Sequence, residues 1–383
     1  MADAADLAAQ ADRAAAAGDL AGARTLLLQL VEISPAHENW MKLAAMARAT
    51  GEIDTALMAV HRALAAAPLD FVALLLRASL LEQSGVAGAG EAYGRALAQK
   101  PEGEMAPTLA RMVDHAHKMH DDWLQRQDAR LAAVAAVSTA EASEDEARRI
   151  ARFRSNTLRT TRTYHSEPSH FHFPGLVERE FHDRSDFPWL AEIEAGTDAI
   201  AEEFATVVKA EQAELLPYVQ YAEHEPLMQW SELNHNRAWT AIHLMQHGRA
   251  NAANARHCPR TLALLERVQP AIPGCSPNAL FSLLAPHTAI PPHTGVANTR
   301  LVCHLPLIVP EGCWFRVGEE KRYWKRGEAF VFDDTIEHEA ANPSGELRVV
   351  LIFDVWHPGL SATERSAVAA MMEADAQGAA LAL

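Results

Sequence analysis

The sequence is poor in basic residues. In a chain of 383 residues, 34 Lys and Arg stand against 50 Asp and Glu, which gives a formal net charge of −16. A surface of this charge repels a phosphate backbone, and no run rich in Lys and Arg offsets the repulsion. We therefore expect no nucleic acid among the partners of this protein.

Long apolar runs are also missing. No stretch approaches the ~20 apolar residues that a membrane-spanning helix requires, and the opening residues MADAADLAAQ carry Asp where a secretion signal needs basic residues. These two absences predict a soluble, cytoplasmic protein that has no membrane partner.

Cysteine is scarce, and the four that occur are never two residues apart in a CxxC motif. Cys258, Cys275, Cys303 and Cys313 are instead spread through the second half of the chain. This spacing argues against a zinc site or a redox pair and favours free, buried thiols.

The first part of the chain, residues 1–125, is rich in Ala and Leu at helical spacing and contains an internal repeat. The repeat has a period of 33 residues and is marked by three alanines and three prolines: Ala23, Ala56, Ala89, Pro35, Pro68 and Pro101. Such a period is typical of tetratricopeptide-like helical hairpins. The pattern supports a groove for a protein partner and a spacer or dimerisation element equally well.

Residues 126–164 are charged and predict a helical linker. From residue 165 to residue 383, short apolar or aromatic runs are bounded by Pro, Gly, Asn and Asp, as in YVQYAE, ALFSLLAP and RVVLIFDVWHP. These runs predict strands, with helical stretches between them, notably FPWLAEIEAGTDAIAEEFATVVKAE. The expected fold class is α+β, with an N-terminal helical repeat domain followed by an antiparallel sheet pair or jelly-roll barrel.

Two histidines are placed as metal ligands would be. His293 follows a Pro-Pro turn, and His338 comes 45 residues later, after the strand-like EAFVFDD. Non-haem iron sites commonly use two histidines and one carboxylate, but the position two residues after His293 is Gly295. Asp333 and Asp334 are weaker ligand candidates, since the sequence predicts that they end a strand in a turn. The metal site is thus expected to have two imidazole ligands.

Arg348 lies ten residues after His338 in ELRVVLIF, which reads as a buried strand. A buried guanidinium is costly without an anionic partner. A carboxylate can accept paired hydrogen bonds from it, and the distal carboxylate of 2-oxoglutarate is one such group.

At this point the sequence resembles a known family. The segments PPHTGVANTRLVCHLPL, FDDTIEHEAAN and LIFDVWHP are similar to those of the aspartyl/asparaginyl β-hydroxylases, which are oxygenases dependent on iron(II) and 2-oxoglutarate. The resemblance extends from FHFPGL at residue 171 to DVWHP at residue 358. Members of this family can carry tetratricopeptide-like helices ahead of a jelly-roll, cupin-like oxygenase domain of the double-stranded β-helix type.

The resemblance implies a role for six residues. His293 and His338 would bind Fe(II), Ser282 and Arg348 would hold the distal carboxylate of 2-oxoglutarate, His304 would reach its other end, and Trp239 would line the pocket. Dioxygen would be the second co-substrate.

Two departures from the family pattern are visible. Where the animal enzymes carry a second arginine two residues before His304, this chain has Val302. The positions of a disulfide near the substrate channel of those enzymes read Ala255 and Leu262 here, which fits a reducing compartment.

The resemblance favours a dioxygenase that hydroxylates the β-carbon of an Asp or Asn residue or a related substrate. The substrate would be a peptide, a protein or a small amino-acid derivative, and the helical repeats would offer a site for a protein partner. Three alternatives stay open: a halogenase that places chloride beside Gly295, a non-catalytic repeat scaffold, and a metal-dependent cupin that does not need Arg348.

Overall fold

The computed structural model describes residues 3–210, 216–222, 224, 227–268, 272 and 274–378. The chain divides into two compact units, Met1–Thr160 and Thr161–Leu383. Each unit has its own hydrophobic clusters.

The first unit consists of helices that pair with their neighbours along the chain. Their bounds are α1 Ala4–Ala16, α2 Leu20–Ile33, α3 His37–Ala49, α4 Ile53–Ala66, α5 Phe71–Gln83, α6 Ala89–Leu97, α7 Pro107–Ala136 and α8 Glu144–Thr157. Asp3, Asp19 and Asp70 cap three of these helices by accepting hydrogen bonds from free backbone N–H groups. Helix α7 continues through residue 125, where the sequence pattern had placed a domain boundary.

The 33-residue repeat corresponds to three helical hairpins, α1–α2, α3–α4 and α5–α6. Glycines in the left-handed region form the turns inside them, with φ of 81° at Gly18, 80° at Gly51 and 69° at Gly85. The repeated alanines are buried, and Ala23 and Ala56 have no exposed surface. Small side chains at these positions let paired helices approach closely, and the predicted tetratricopeptide-like hairpins are confirmed.

Helix α6 approaches helix α7 most closely at a glycine. A Cβ atom on Gly90 would lie 2.2 Å from the Cβ of Trp123. His120 packs beside it, with its ring stacked on Trp123 at 5.9 Å between centroids and its Nδ1 3.0 Å from the Gly90 carbonyl oxygen. The glycine therefore allows the large aromatic side chain to lie against the backbone of α6.

The second unit contains two antiparallel sheets. Its strands are β1 Leu216–Pro217, β2 Trp239–Gln246, β3 Arg249–Ala250, β4 Ala279–Leu284, β5 Thr288–His293, β6 Arg300–Ile308, β7 Trp314–Val317, β8 Glu320–Tyr323, β9 Phe330–Phe332, β10 His338–Asn342 and β11 Arg348–Trp356. The large sheet has the order β1-β2-β4-β11-β6-β9, with β3 paired to β2, and the small sheet has the order β5-β10-β7-β8.

The helices of the second unit are short, apart from the last. They are α9 Leu190–Ala195, α10 Thr197–Val207, α11 Ala252–Ala255, α12 Pro259–Leu265 and α13 Ala362–Gly378. Gly196 separates α9 from α10 within the single helical stretch that the sequence suggested.

Alternation along the strands gives the large sheet two different apolar faces. One face packs against α9, α10 and α12 and includes Ile242, Phe281, Leu305, Leu351 and Phe353. The other face looks toward the small sheet and includes Trp239, Leu284, Val302, Phe332 and Val350. The space between the two sheets is the interior of the barrel, so polar residues on this second face are enclosed.

These sheets confirm the predicted α+β class, in which helical repeats precede a jelly-roll-like domain. Most of the predicted strands are present, but the described residues 218–222 of YVQYAE form only an isolated bridge between Val219 and Asn234. All four cysteines are free and buried, as expected. No helix among the described residues combines the length and the apolar composition that crossing a membrane requires.

The close approach at Gly90 yields a stability prediction. Gly90→Ala is expected to lower the free energy of unfolding by about 1–3 kcal/mol, because the added methyl group overlaps Trp123. Helix propensity alone predicts the opposite sign. Gly88→Ala is the matched control, since nothing lies within 4 Å of its Cβ position. Urea unfolding followed by far-UV circular dichroism measures both, and equal stabilities of the two variants would contradict the packing argument.

Candidate functional site

The structure brings the six predicted site residues together inside the barrel. Trp239 begins β2, Ser282 lies in the middle of β4, and His304 lies on β6. His293 ends β5, His338 begins β10, and Arg348 begins β11. The two histidines therefore come from the small sheet, and the other four residues come from the facing side of the large sheet.

His293 and His338 are directly paired across β5 and β10, with ring centroids 4.0 Å apart. The register between these strands shifts by one residue between His338 and Ala340, so that two residues of β5, Pro291 and Pro292, oppose one residue of β10, Glu339. A bulge of this kind redirects a side chain. Here it falls at Pro291 and Pro292, and it lets His293 face its partner.

The two imidazoles are held in the same tautomer. Nδ1 of His293 lies 2.8 Å from the Pro291 carbonyl oxygen, and Nδ1 of His338 lies 3.0 Å from that of Ile336. Each Nδ1 therefore carries the proton and donates it, which leaves the Nε2 lone pair available to a metal. Burial lowers the pKa of both rings, so both are neutral at neutral pH.

Aromatic rings surround this pair. Trp230 meets His293 edge-on at 4.9 Å between centroids, and Phe332 lies 5.4 Å from His338. On the outer side, Tyr218 stacks on Trp239 at 3.8 Å with the rings nearly parallel. These contacts restrict both histidines to one orientation and limit the access of water to them.

Arg348 is 1% exposed, which is unusual for a charged side chain. Its Nη1 donates to the Ser282 hydroxyl and carbonyl oxygens, both at 3.2 Å. The same hydroxyl accepts a hydrogen bond from the Trp239 indole at 3.1 Å. Arg348, Ser282 and Trp239 thus form one hydrogen-bonded group.

No carboxylate within the described residues pairs with Arg348. Burial lowers the pKa of its guanidinium to about 10, so it is still a cation at neutral pH. Its Nε is buried, and no described residue accepts a hydrogen bond from it. An isolated buried cation of this kind has a high desolvation cost, and an anion in the adjoining space would reduce it.

His304 packs against Phe315 and Phe332, the two rings that also contact His338. Its ring is 4.8 Å from Phe332 and 4.9 Å from Phe315. Its buried Nδ1 has no hydrogen-bonding partner in the described part of the chain, and burial together with the Arg348 charge places its pKa well below the usual value. A neutral imidazole is available here to bond a ligand.

Arg300 does not extend this group, although it lies on the same strand as His304. Its Nη1 donates to Asp354 at 2.8 Å, and the Asp354 carboxylate also accepts hydrogen bonds from Asn278. The charges of Arg300 and Asp354 therefore neutralise each other. Val302, between Arg300 and His304 on the same face of β6, is buried and supplies no donor.

The carboxylate of Asp334 fills the space next to Gly295. A Cβ atom on Gly295 would lie 2.2 Å from the Asp334 Oδ2. Asp333 instead accepts hydrogen bonds from the backbone and hydroxyl of Thr335. Among the described residues, no three His, Cys, Asp or Glu side chains converge as a metal-binding group.

Burial raises the pKa of Asp334 to about 7, although the nearby Arg300 charge opposes the shift. Its Oδ1 has no partner in the part of the chain that is described. Sequence reasoning gave no role to the contact of Asp334 with Gly295. The motif HTG shows that Gly295 stands where a carboxylate ligand would be expected. It does not show that the Asp334 side chain occupies the space beside this glycine.

Comparison with known proteins supports the resemblance. Residues 194–358 match the family described as Aspartyl/Asparaginyl beta-hydroxylase, and this range contains all six predicted site residues. The mouse aspartyl/asparaginyl beta-hydroxylase is 32% identical over 52% of this chain and 28% of its own length. The predicted resemblance to this family is confirmed over the matched segment.

Two shorter relatives match similar parts of the chain. Mouse aspartate beta-hydroxylase domain-containing protein 2 is 33% identical over 53% of this chain and 58% of its own length. The ornithine lipid ester-linked acyl 2-hydroxylase of Rhizobium tropici is 34% identical over 46% of this chain and 60% of its own length. This chain therefore spans less than two thirds of each of these relatives.

Solved structures resemble the two units only weakly. The Sgt2 TPR domain from Aspergillus fumigatus is 18% identical, covers 32% of this chain and 82% of its own, and gives a TM-score of 0.28. A cupin domain of an XRE family transcriptional regulator from Enterobacter cloacae is 12% identical, covers 31% and 97%, and gives 0.22. Scores this low support no conclusion about function.

The contact between Gly295 and Asp334 can be tested as a pair. Gly295→Ala is expected to cost about 1–3 kcal/mol of unfolding free energy, because the new methyl group overlaps a buried carboxylate. In an Asp334→Ala background the same substitution should cost less, since the space is then free. A double-mutant cycle measured by denaturant unfolding gives the coupling. Additive effects would show that the two positions do not compete for this space.

Proposed function

We propose that this protein is an iron(II)- and 2-oxoglutarate-dependent oxygenase that hydroxylates its substrate, in keeping with its resemblance to the β-hydroxylases over residues 194–358. The observation that carries the proposal is Arg348, a buried cation with no acidic partner among the described residues, beside two paired neutral histidines. A scaffold or an ordinary cupin has no need of such a cation.

His293 and His338 are the residues that would hold the iron. Neutral imidazoles suit a first-row transition metal, and two of them leave several coordination positions for a co-substrate and dioxygen. Iron(II) with 2-oxoglutarate and dioxygen supplies the oxidising chemistry that inserts one oxygen atom into a C–H bond and releases succinate and carbon dioxide.

The large sheet would bind the co-substrate. Arg348 and the Ser282 hydroxyl are adjacent donors for the distal carboxylate, with Trp239 fixing the hydroxyl from the other side. His304 would contact the opposite end of the molecule. Because all four side chains are at most 5% exposed, the carboxylate would be bound in a dry site, where such hydrogen bonds are strong.

Hydroxylation is favoured over halogenation by the surroundings of Gly295. A halide that took the place of a carboxylate ligand would occupy space next to this residue, and that space holds the Asp334 carboxylate. A second anion there would meet repulsion whenever Asp334 is ionised.

The proposed substrate is a peptide, a protein or a small amino-acid derivative, hydroxylated at a carbon such as the β-carbon of Asp or Asn. The names of the mouse relatives support this class, while the Rhizobium relative is named for an acyl 2-hydroxylation. We also propose that the protein acts in the cytoplasm and that the helical repeats bind a protein partner.

A turnover assay tests the reaction. The iron-loaded protein is incubated anaerobically with 2-oxoglutarate and then exposed to oxygen in the presence of Asp- and Asn-containing peptides or acylated amino acids. Succinate is measured and product mass is read with and without chloride. A gain of about 16 Da, the mass of one oxygen atom, supports hydroxylation. Absence of succinate with every substrate, or a chlorinated product, would contradict it.

The metal ligands give a binding prediction. His293→Ala and His338→Ala should each abolish tight Fe(II) binding, since a site with two protein ligands has none to spare. His117→Ala, at an exposed position of α7, is the control and should keep the wild-type stoichiometry. Anaerobic titration with Fe(II) measures the binding. Retention of iron by either site variant would show that the ligands are elsewhere.

Replacing Arg348 should lower the affinity for 2-oxoglutarate without lowering the stability of the protein. Arg348→Met should weaken 2-oxoglutarate binding by about 2–4 kcal/mol, or roughly 30- to 1000-fold, because the paired charge is lost. Without the co-substrate, the variant should be as stable as the wild type or more stable, because an unpaired buried cation is replaced by an apolar side chain. Calorimetric titration and thermal melts measure the two effects. Lower stability with unchanged affinity would indicate a structural role for Arg348.

A further inference from the structure

Trp324 carries a buried hydrogen-bond donor that the fold itself does not use. It follows β8 directly and is 5% exposed, with its ring stacked on Phe315 at 5.5 Å between centroids. Its indole Nε1 is enclosed, and no acceptor for it exists among the described residues. Tryptophan nitrogen can only donate, and an unmade buried hydrogen bond is costly. A phenylalanine at this position would fill the core without that cost.

The two polar neighbours of Trp324 also carry a buried nitrogen for which the described residues offer no hydrogen-bonding partner. The Arg348 guanidinium lies over the Trp324 ring, with Cζ 4.8 Å from the centroid, and the His304 ring lies 6.1 Å from the Trp324 ring. Arg348 Nε and His304 Nδ1 are likewise buried without a partner in the described part of the chain. Three adjoining side chains therefore each carry a buried polar nitrogen that no described residue satisfies.

The chemistry of this group selects its ligand. Two of the three nitrogens, on Arg348 and Trp324, are donors whatever the pH, and one belongs to a cation. No described carboxylate pairs with Arg348, and Val302, the nearest inward-facing residue before His304 on β6, is apolar. The described part of the chain supplies no acceptor for these nitrogens, and the Arg348 charge favours an acceptor that is an anion. A carboxylate is such an acceptor, and it can accept paired hydrogen bonds from a guanidinium.

We propose that the Trp324 Nε1–H donates a hydrogen bond to a carboxylate of the co-substrate, while the face of its ring holds the Arg348 guanidinium in place by a cation–π contact. The inference rests on the proposed function, and it adds to the binding pocket a residue from the small-sheet hairpin β7–β8. Arg348 and His304 lie on two strands of the large sheet, and the Trp324 indole contacts both of them from the opposite sheet. It is a binding residue for the co-substrate and a positioning residue for Arg348.

The test separates the N–H from the ring. Trp324→Phe keeps an aromatic ring and removes the donor, so the affinity of the manganese-loaded protein for 2-oxoglutarate should fall roughly 10- to 150-fold, as for the loss of one hydrogen bond to a charged group. Its melting temperature without co-substrate should be equal to that of the wild type or higher. Trp314→Phe is the matched control: Trp314 lies on β7 with Lys321 packed on its ring at 3.9 Å, and its replacement should leave the affinity unchanged.

A second measurement needs no substitution in the protein that is titrated. In protein labelled with ¹⁵N at the indole nitrogens, the Trp324 N–H resonance, assigned by its absence from Trp324→Phe, should move downfield when 2-oxoglutarate is added to the metal-free or zinc-loaded wild type. An unmoved resonance together with equal affinities of the wild type and Trp324→Phe would overturn this inference alone. If the wild type binds no 2-oxoglutarate under any metal loading, the proposed function is overturned and this inference with it.

Discussion

The interior of the barrel depends on one buried charge. Arg348 lies at the start of a central strand of the large sheet with 1% of its surface exposed, and the groups around it are arranged as donors rather than as a counter-charge. Ser282 holds one guanidinium nitrogen, Trp324 covers its face, and His304 stays neutral beside it. A buried cation without a counter-charge is costly, and the carboxylate of the proposed co-substrate would reduce that cost.

The two sheets contribute different residues to the site. The small sheet contributes the paired imidazoles, and the bulge at Pro291 and Pro292 turns His293 toward His338. The large sheet contributes Arg348 and Ser282, the donors proposed to bind an anion, and its opposite face is fixed by an apolar layer against α9, α10 and α12. Because both faces of the large sheet are packed, its strands cannot shift in register without exposing one of these layers. This rigidity holds the donors in place before any ligand arrives.

Much of the fold followed from local patterns. The 33-residue repeat predicted three helical hairpins because each helix buries its alanines against the neighbouring helix, and β4, β6 and β11 read as strands because nearly all of their residues are buried. The predictions failed where local pattern and tertiary contact disagree. Residues 218–222 of YVQYAE are apolar enough for a strand, but among the described residues they form only an isolated bridge. The polar EKRY of β8 becomes a strand because β7 pairs with it.

The sequence by itself determined which residues to examine: two histidines 45 positions apart, an arginine in an apolar strand, and a glycine where a carboxylate ligand would stand. Only the tertiary structure decided how they meet. Asp334 fills the space at Gly295, Arg300 is neutralised by Asp354, and Trp324 reaches Arg348 from a hairpin of the other sheet. Such contacts depend on strand order, register and the side from which a side chain enters the barrel. No spacing along the chain encodes these, because they arise only when the two sheets pack face to face.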